Sequence, residues 1–167
     1  MINGESILRE RYDNLNDDQY QPAGIDLTLG NLYTLEENNL DIYGLFKNMK
    51  ILPEQCEMST RNVLVKGNLC KVYTLDPKTA YIAKTNEKIK IDQYSAQFYL
   101  PRSSLLRAGI SVQTALGDPG FNGHLSFLVV NHTDAPFMIE KHVRFAQLID
   151  MTCAGIEKKY DGDYNEN

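Results

Sequence analysis

Short apolar runs recur along most of this chain, and polar or turn-forming residues separate them. LTLGNLYTL, NVLVKG, CKVYTL, AYIAK, KIKI, AQFYL, GISVQTA, HLSFLVVN and RFAQLIDM are rich in β-branched and aromatic residues, with Gly, Pro, Asn and Asp between them. That pattern predicts strands. Many short strands joined by turns predict a mostly β fold, a sandwich, barrel or jelly roll. INGESILRERY departs from the pattern and predicts a short N-terminal helix, with Asn3 as candidate N-cap and Ile7 and Leu8 as a small apolar face. NLNDDQYQP reads as a polar connector ending in Pro22, and residues 36–53, EENNLDIYGLFKNMKILP, as a long loop with room for a helical turn. The acidic, polar end YDGDYNEN predicts a mobile tail unless a ligand orders it. The expected organisation is one domain over residues 1–155 and a mobile tail over 156–167.

Composition narrows the function classes. A chain of 167 residues suits one domain with a substantial core. With 22 acidic against 17 basic residues, a net charge of −5 argues against a nonspecific nucleic-acid binder, which needs a basic face. It leaves room for a nucleotide substrate, which needs only a few local cations. Cys56, Cys70 and Cys153 are scattered without metal-ligand spacing, as expected of reduced thiols in a cytoplasmic protein. No stretch has the pattern of a signal peptide, and no run of about 18 apolar residues predicts a membrane span.

The candidate chemistry is concentrated in PRSSLLRAGISVQTALGDPGFNG, residues 101–123. Arg102, Ser103, Ser104 and Arg107 offer guanidinium and hydroxyl donors suited to phosphate oxygens. One short loop later Asp118 lies between Gly117 and Pro119, in a turn that fixes a carboxylate. A phosphate cradle near a rigid carboxylate suits metal-assisted hydrolysis of a nucleoside triphosphate. Each residue also has a plainer reading. The arginines and serines can be solvated, Asp118 can be an ordinary turn residue, and Phe121 can be a core aromatic. Asp26 can be an edge residue and Gln147 a buried amide, while Lys159 can be a solvated tail residue. His124, His132 and His142 form no cluster by sequence, and none is assigned a role. The H-x-E with downstream P-C-x-x-C of a zinc deaminase is absent.

PRSSL followed by DPGFNG, an apolar strand ending in Asn131, and RFAQLI resembles the dUTPase and dCTP deaminase superfamily. QPAGIDLTLGNLY resembles its first motif, and LDPKTAYIAKTNEKIKI is similar to the L-x-P…T-x-E-x-I-x-L run before the RSS motif. KKYDG resembles the tail of the deaminase branch. The resemblance covers residues 1–35 and 70–163, and its N-terminal part is closer to the deaminase branch. It implies a distorted jelly roll, a homotrimer with sites between subunits, and Mg²⁺-dependent hydrolysis of dUTP to dUMP and pyrophosphate. It implies Asp118 as the residue that positions the attacking water. Arg102, Ser103, Ser104 and Arg107 then bind phosphates, Lys159 and Tyr160 form a substrate-binding tail whose lysine reaches the phosphates, Phe121 packs on the deoxyribose, Gln147 lies near the nucleotide and Asp26 helps to place the metal.

The chain departs from the deaminase branch at a decisive position. That branch carries a glutamate five residues after the second glycine of DPG-aromatic-x-G, and here that residue is Leu128. A leucine cannot shuttle a proton, so the expectation favours a dUTP pyrophosphatase. A dCTP deaminase with another acid/base group, or a nucleotide- or partner-binding homologue without turnover, are the rivals. The stretch from Arg107 to Asp118 is about two residues shorter than in deaminases, an estimate of the spacing on which their base-reading hairpin depends. The tail is short, Asp163 falls where a glutamine is expected, and His142 falls where a glycine opens the fourth motif.

Overall fold

The computed structural model describes residues 1–36, 43–158, 160–162 and 165–166. The chain opens with α1 (Glu5–Arg11), a 3-10 turn (Asp17–Gln19), β1 (Tyr20–Gln21) and β2 (Gly24–Glu36). Three short strands follow, β3 (Gly44–Phe46), β4 (Met49–Ile51) and β5 (Glu54–Glu57), then the hairpin of β6 (Arg61–Val65) and β7 (Asn68–Leu75). The second half holds β8 (Ala80–Lys90), β9 (Ser95–Pro101), α2 (Ser103–Arg107), β10 (Ile110–Gln113), β11 (Asn122–Asn131), β12 (Phe137–Glu140) and β13 (Arg144–Thr152).

The principal sheet runs β10-β11-β8-β2-β13-β9, and every pairing in it is antiparallel. β2 makes this curvature possible. Its first half pairs with β13 and its second with β8, with a register shift between Leu29 and Leu32. Gly30 lies at that shift, where a Cβ would come within 2.9 Å of the Thr85 carbonyl oxygen, so a side chain there would push the strands apart. At the far ends of the sheet, a bridge between Gln97 and Gly117 joins β9 to the loop after β10, nearly closing the sheet into a barrel. The expected mostly β architecture is therefore present.

The strand alternation fills the interior. Along β8 the residues Tyr81, Ala83, Thr85, Glu87 and Ile89 are buried, while Lys84, Lys88 and Lys90 face outward. Phe127 stacks obliquely between Tyr99 and Phe145, at centroid distances of 5.1 and 5.9 Å. Glu87 is buried but satisfied: it accepts from the Gln19 amide at 2.8 Å and from both the backbone N–H and the hydroxyl of Thr28.

Several expectations need correction. Asn3 does not cap α1. Gly4 holds that position, and the Asn3 amide instead donates to buried Asp150 at 2.6 Å. The connector before Pro22 contains the 3-10 turn and β1, closed by reciprocal Asn16–Gln19 bonds. The expected loop over 36–53 carries the β3–β4 hairpin, and residues 37–42 lie outside the described residues. AYIAK and KIKI form one long strand, β8, and the five-residue helix α2 begins within the RSS motif, at Ser103.

Candidate active site

Asp118 begins a tight turn that its sequence dictates. Phe121 N–H donates to the Asp118 carbonyl at 3.2 Å, with Pro119 and Gly120 at the corner. Gly120 has φ 88°, a left-handed conformation that glycine adopts without strain. The turn is latched to the β8–β9 connection, since Gly120 N–H donates to the Ile91 carbonyl and Ile91 N–H to that of Phe121. The Asp118 side chain is left exposed at the mouth of a cleft of about 700 Å³. The floor is apolar, formed by Ile82, Leu125 and Phe127. Phe121 and Tyr160 close one side with their rings edge to face at 5.6 Å, and Lys84, His124 and Glu166 stand at the rim.

Behind the turn lies a buried chain of hydrogen bonds. The Tyr99 hydroxyl donates to the Gln97 side-chain Oε1 at 2.8 Å, the Gln97 side-chain amide donates to the Tyr12 hydroxyl, and Tyr12 donates to Asp150 at 3.2 Å. Asp150 also accepts from Arg11 at 2.7 Å. Burial, with the nearby Asp150 carboxylate, pushes both phenols well above the ordinary tyrosine range, and Asp118 adds to the shift at Tyr99. Gln97 and Gly117 exchange backbone hydrogen bonds at 2.9 and 2.8 Å, which ties this network to the residue before Asp118. Gly117 must be glycine on steric grounds, because a Cβ there would lie 2.3 Å from the Tyr99 hydroxyl oxygen.

The remaining expected residues gather elsewhere. Arg102 precedes α2 and forms an ion pair with Asp26, which is 1% exposed on β2. Arg144, at the start of β13, reaches the same Asp26 oxygen at 3.4 Å. Gln147 lies directly across from Asp26 in the β2–β13 register and is half-buried between the buried Ala146 and Leu148. Ser103, Ser104 and Arg107 are exposed on α2. None of these residues lines the Asp118 cleft. A single chain thus brings Asp118, Phe121 and Tyr160 together and holds Asp26, Arg102 and Gln147 in a second group. Lys159 lies outside the described residues.

The donor set at Asp26 bears on a metal. Oδ2 is taken by two guanidinium groups, while Oδ1 is buried without a hydrogen-bond partner. One free lone-pair site can accept from a water of a hydrated ion, but one neutralised carboxylate cannot hold the ion alone. No group of three or more His, Cys, Asp and Glu converges among the described residues. The arrangement fits an ion that arrives on substrate phosphates, as Mg²⁺ commonly does.

Sequence reasoning missed Arg144, Lys84 and His124. Arg144 lies two residues into the fourth motif, and its place opposite Thr28 puts it beside Asp26. Lys84 and His124 become neighbours of the cleft only through the β8–β11 register. His142 keeps the backbone that a glycine would supply there: its φ is 66°, and its N–H donates to the Leu29 carbonyl at 2.8 Å.

Comparison with known proteins shows the family of the chain. A probable deoxyuridine 5′-triphosphate nucleotidohydrolase of Methanopyrus kandleri is 40% identical over 98% of this chain and 99% of its own length. The deoxyuridine 5′-triphosphate nucleotidohydrolase of Methanocaldococcus jannaschii is 34% identical over 98% of each. The fold matches a crystal structure of 2′-deoxycytidine 5′-triphosphate deaminase from Agrobacterium tumefaciens with a TM-score of 0.64 and 20% identity, over 89% of this chain and 47% of the deaminase chain. The dCTP deaminase-like family model matches residues 4–152, which include the Asp26 group and the Asp118 turn, and the chain belongs to that family.

Proposed function

We propose that this chain is a dUTP diphosphatase that hydrolyses Mg²⁺-bound dUTP to dUMP and pyrophosphate, as a homotrimer with its sites between subunits. The observation that carries this reading is the separation of its parts. Asp118 stands over an apolar cleft that Arg102, Ser103, Ser104 and Arg107 do not line. A second copy that brings its Arg102, Ser103, Ser104 and Arg107 to that cleft would complete the site. Phe98, Leu100 and Leu106 leave about half of each side chain exposed, next to those donors, and so provide an apolar surface for such a copy. The two archaeal relatives, matched over nearly their full lengths, support the choice of dUTP.

In this reading Asp118 orients and deprotonates a water in line with the scissile phosphorus. The arginines and serines bind the phosphate oxygens, and Asp26 holds the Arg102 guanidinium in place, while its unpartnered Oδ1 is the atom that would help to place the metal. Mg²⁺ supplies charge neutralisation at the phosphates. Phe121 and Tyr160 pack against the deoxyribose side, Lys159 adds a cation from the tail, and Gln147 stands close to the nucleotide. The three free cysteines suit a reducing, cytoplasmic setting.

Deamination of dCTP is the second reading, favoured by the family's description and the Agrobacterium fold. Leu128 counts against it, since it lies on the outward face of β11 opposite Ile82 and Gln113 and carries no titratable group. Incubation with each dNTP and Mg²⁺, followed by product identification, separates the two. Pyrophosphate from dUTP and no ammonia from dCTP is the expected result. Ammonia from dCTP would overturn the choice. Mixing inactive Asp118→Asn with inactive Arg102→Ala chains tests the shared site, and no recovery of activity would argue against sites between subunits.

A further inference from the structure

Two lysines and a histidine share the outer face of two paired strands. Lys84 and Lys88 alternate outward on β8, and the β11 register puts His124 opposite Lys88 and Ser126 opposite Lys84. The His124 Nδ1 lies 3.0 Å from the Thr85 carbonyl, which turns Nε2 toward the cleft. Lys84 and His124 line the same cleft as Asp118.

An anion from the chain itself already rests on this face. Glu166 holds its carboxylate 3.5 Å from Lys84 Nζ and 3.9 Å from His124 Nε2. Its carbonyl accepts from Lys88 Nζ at 3.1 Å and from the Asn122 amide at 3.0 Å, and its N–H donates to the Asn122 carbonyl at 2.8 Å. The Glu166 carboxylate therefore sits between Lys84 and His124, while Lys88 holds its backbone carbonyl. A ligand with several phosphate oxygens could satisfy all three more fully. The Glu166 contacts are also easy to exchange, because Lys84, His124 and Glu166 are each about one-third exposed.

We infer that Lys84, Lys88 and His124 form an anion subsite for polyphosphate oxygens at the rim of the Asp118 cleft, and that Glu166 occupies it in the ligand-free chain. The tail carboxylate and the phosphates then compete for the same cations. The inference rests on the nucleotide reading of the cleft, but its test does not depend on turnover.

Inorganic pyrophosphate is titrated calorimetrically into the full-length parent, Glu166→Gln, the Lys84→Ala/Lys88→Ala double variant and the combination of all three. Removing the competing charge should tighten pyrophosphate binding roughly two- to five-fold, as expected for an exposed ion pair. The double lysine variant should bind more weakly, and Glu166→Gln should have no effect in that background, which is the signature of direct coupling. No tightening in Glu166→Gln, or the same tightening with both lysines removed, would overturn the subsite. A protein that shows the coupling yet never hydrolyses dUTP would retain the subsite and lose the proposed reaction, so the two failures are distinguishable.

Discussion

The Asp118 turn is held from two sides by contacts of opposite character. Behind it, Tyr12, Gln97, Tyr99 and Asp150 are buried and bonded to one another in a line that ends on a carboxylate. In front, the tail reaches the turn through a Tyr160 N–H to Pro119 carbonyl bond at 2.8 Å, a ring contact with Phe121, and the half-buried contacts of Glu166. The rear network is costly to break, because each buried polar atom depends on its partner. The front contacts exchange with water or ligand at little cost. A site that must fix a catalytic carboxylate and still admit a polyanion benefits from this division: rigid support behind the turn and exchangeable contacts at the entrance.

The largest effect is expected where the two sides meet. Asp118→Asn keeps the shape of the turn and removes the base, so dUTP hydrolysis should fall by roughly 10²–10⁴-fold. Binding of a non-hydrolysable dUTP analogue should stay close to the parent's. Hydrolysis at the parent rate would reduce Asp118 to a turn residue and remove the point of comparison.

Gly117→Ala attacks the rear support directly. The added methyl would lie 2.3 Å from the Tyr99 hydroxyl oxygen and 2.8 Å from Ile91 Cδ1. Overpacking of this kind costs about 1–3 kcal/mol, and the strain has to shift the residue next to Asp118. Denaturant unfolding should show the loss, and kcat should fall with it. A variant of unchanged stability and activity would mean that the rear wall yields as easily as the front.

The alkaline limb of stability tests the same network by titration. Burial and Asp150 hold the Tyr12 and Tyr99 phenols above their ordinary pKa of about 10. The unfolded chain therefore binds fewer protons than the folded chain once the pH exceeds about 10, and stability declines as pH rises further. Below that pH the contribution is fully present. Tyr99→Phe should lower stability at neutral pH, by about 1–3 kcal/mol for the unpaired Gln97 Oε1 it leaves. It should also make the decline above pH 10 shallower in chemical denaturation. An unchanged slope would place the alkaline sensitivity elsewhere, with Tyr73 and Tyr81, also shifted upward by burial, as the next tyrosines to replace.

The two sides differ in how far the sequence reveals them. The turn itself is legible, because Gly-Asp-Pro-Gly prescribes its own geometry, and the strands of the second half are legible from their alternation. Phe121 follows Asp118 in the same turn, whereas the place of Tyr160 beside them is not legible from the sequence. The rear network is not legible. Asn3, Tyr12, Gln97 and Asp150 are far apart in sequence, and only the β9–β13 pairing and the docking of α1 bring them into one line. Asn3 looked like a helix cap because local sequence cannot reveal a buried carboxylate nearly 150 positions away. The ion pair of Asp26 with Arg102 was hidden for the same reason, although each residue separately was a candidate. His142 carries the opposite lesson, since the side chain changed while the left-handed backbone remained.

The smallest effect belongs to the front wall. Tyr160→Ala removes the edge-to-face contact with Phe121 but leaves the backbone bond to Pro119, since that bond uses the main-chain N–H. Aromatic pairs contribute about 0.5–1.5 kcal/mol, and this one is only half-buried, so global stability should fall by less than about 1 kcal/mol. The thermal transition should move little. The consequence should appear in KM for dUTP, because Tyr160 and Phe121 line the cleft together, whereas kcat should hold while the Tyr12–Gln97–Tyr99 line keeps the Asp118 turn in place. Steady-state kinetics beside a denaturant curve resolves the two quantities. If Tyr160→Ala instead destabilises the fold as strongly as Gly117→Ala, the tail is an integral wall of the domain and the distinction between rigid rear and exchangeable front fails.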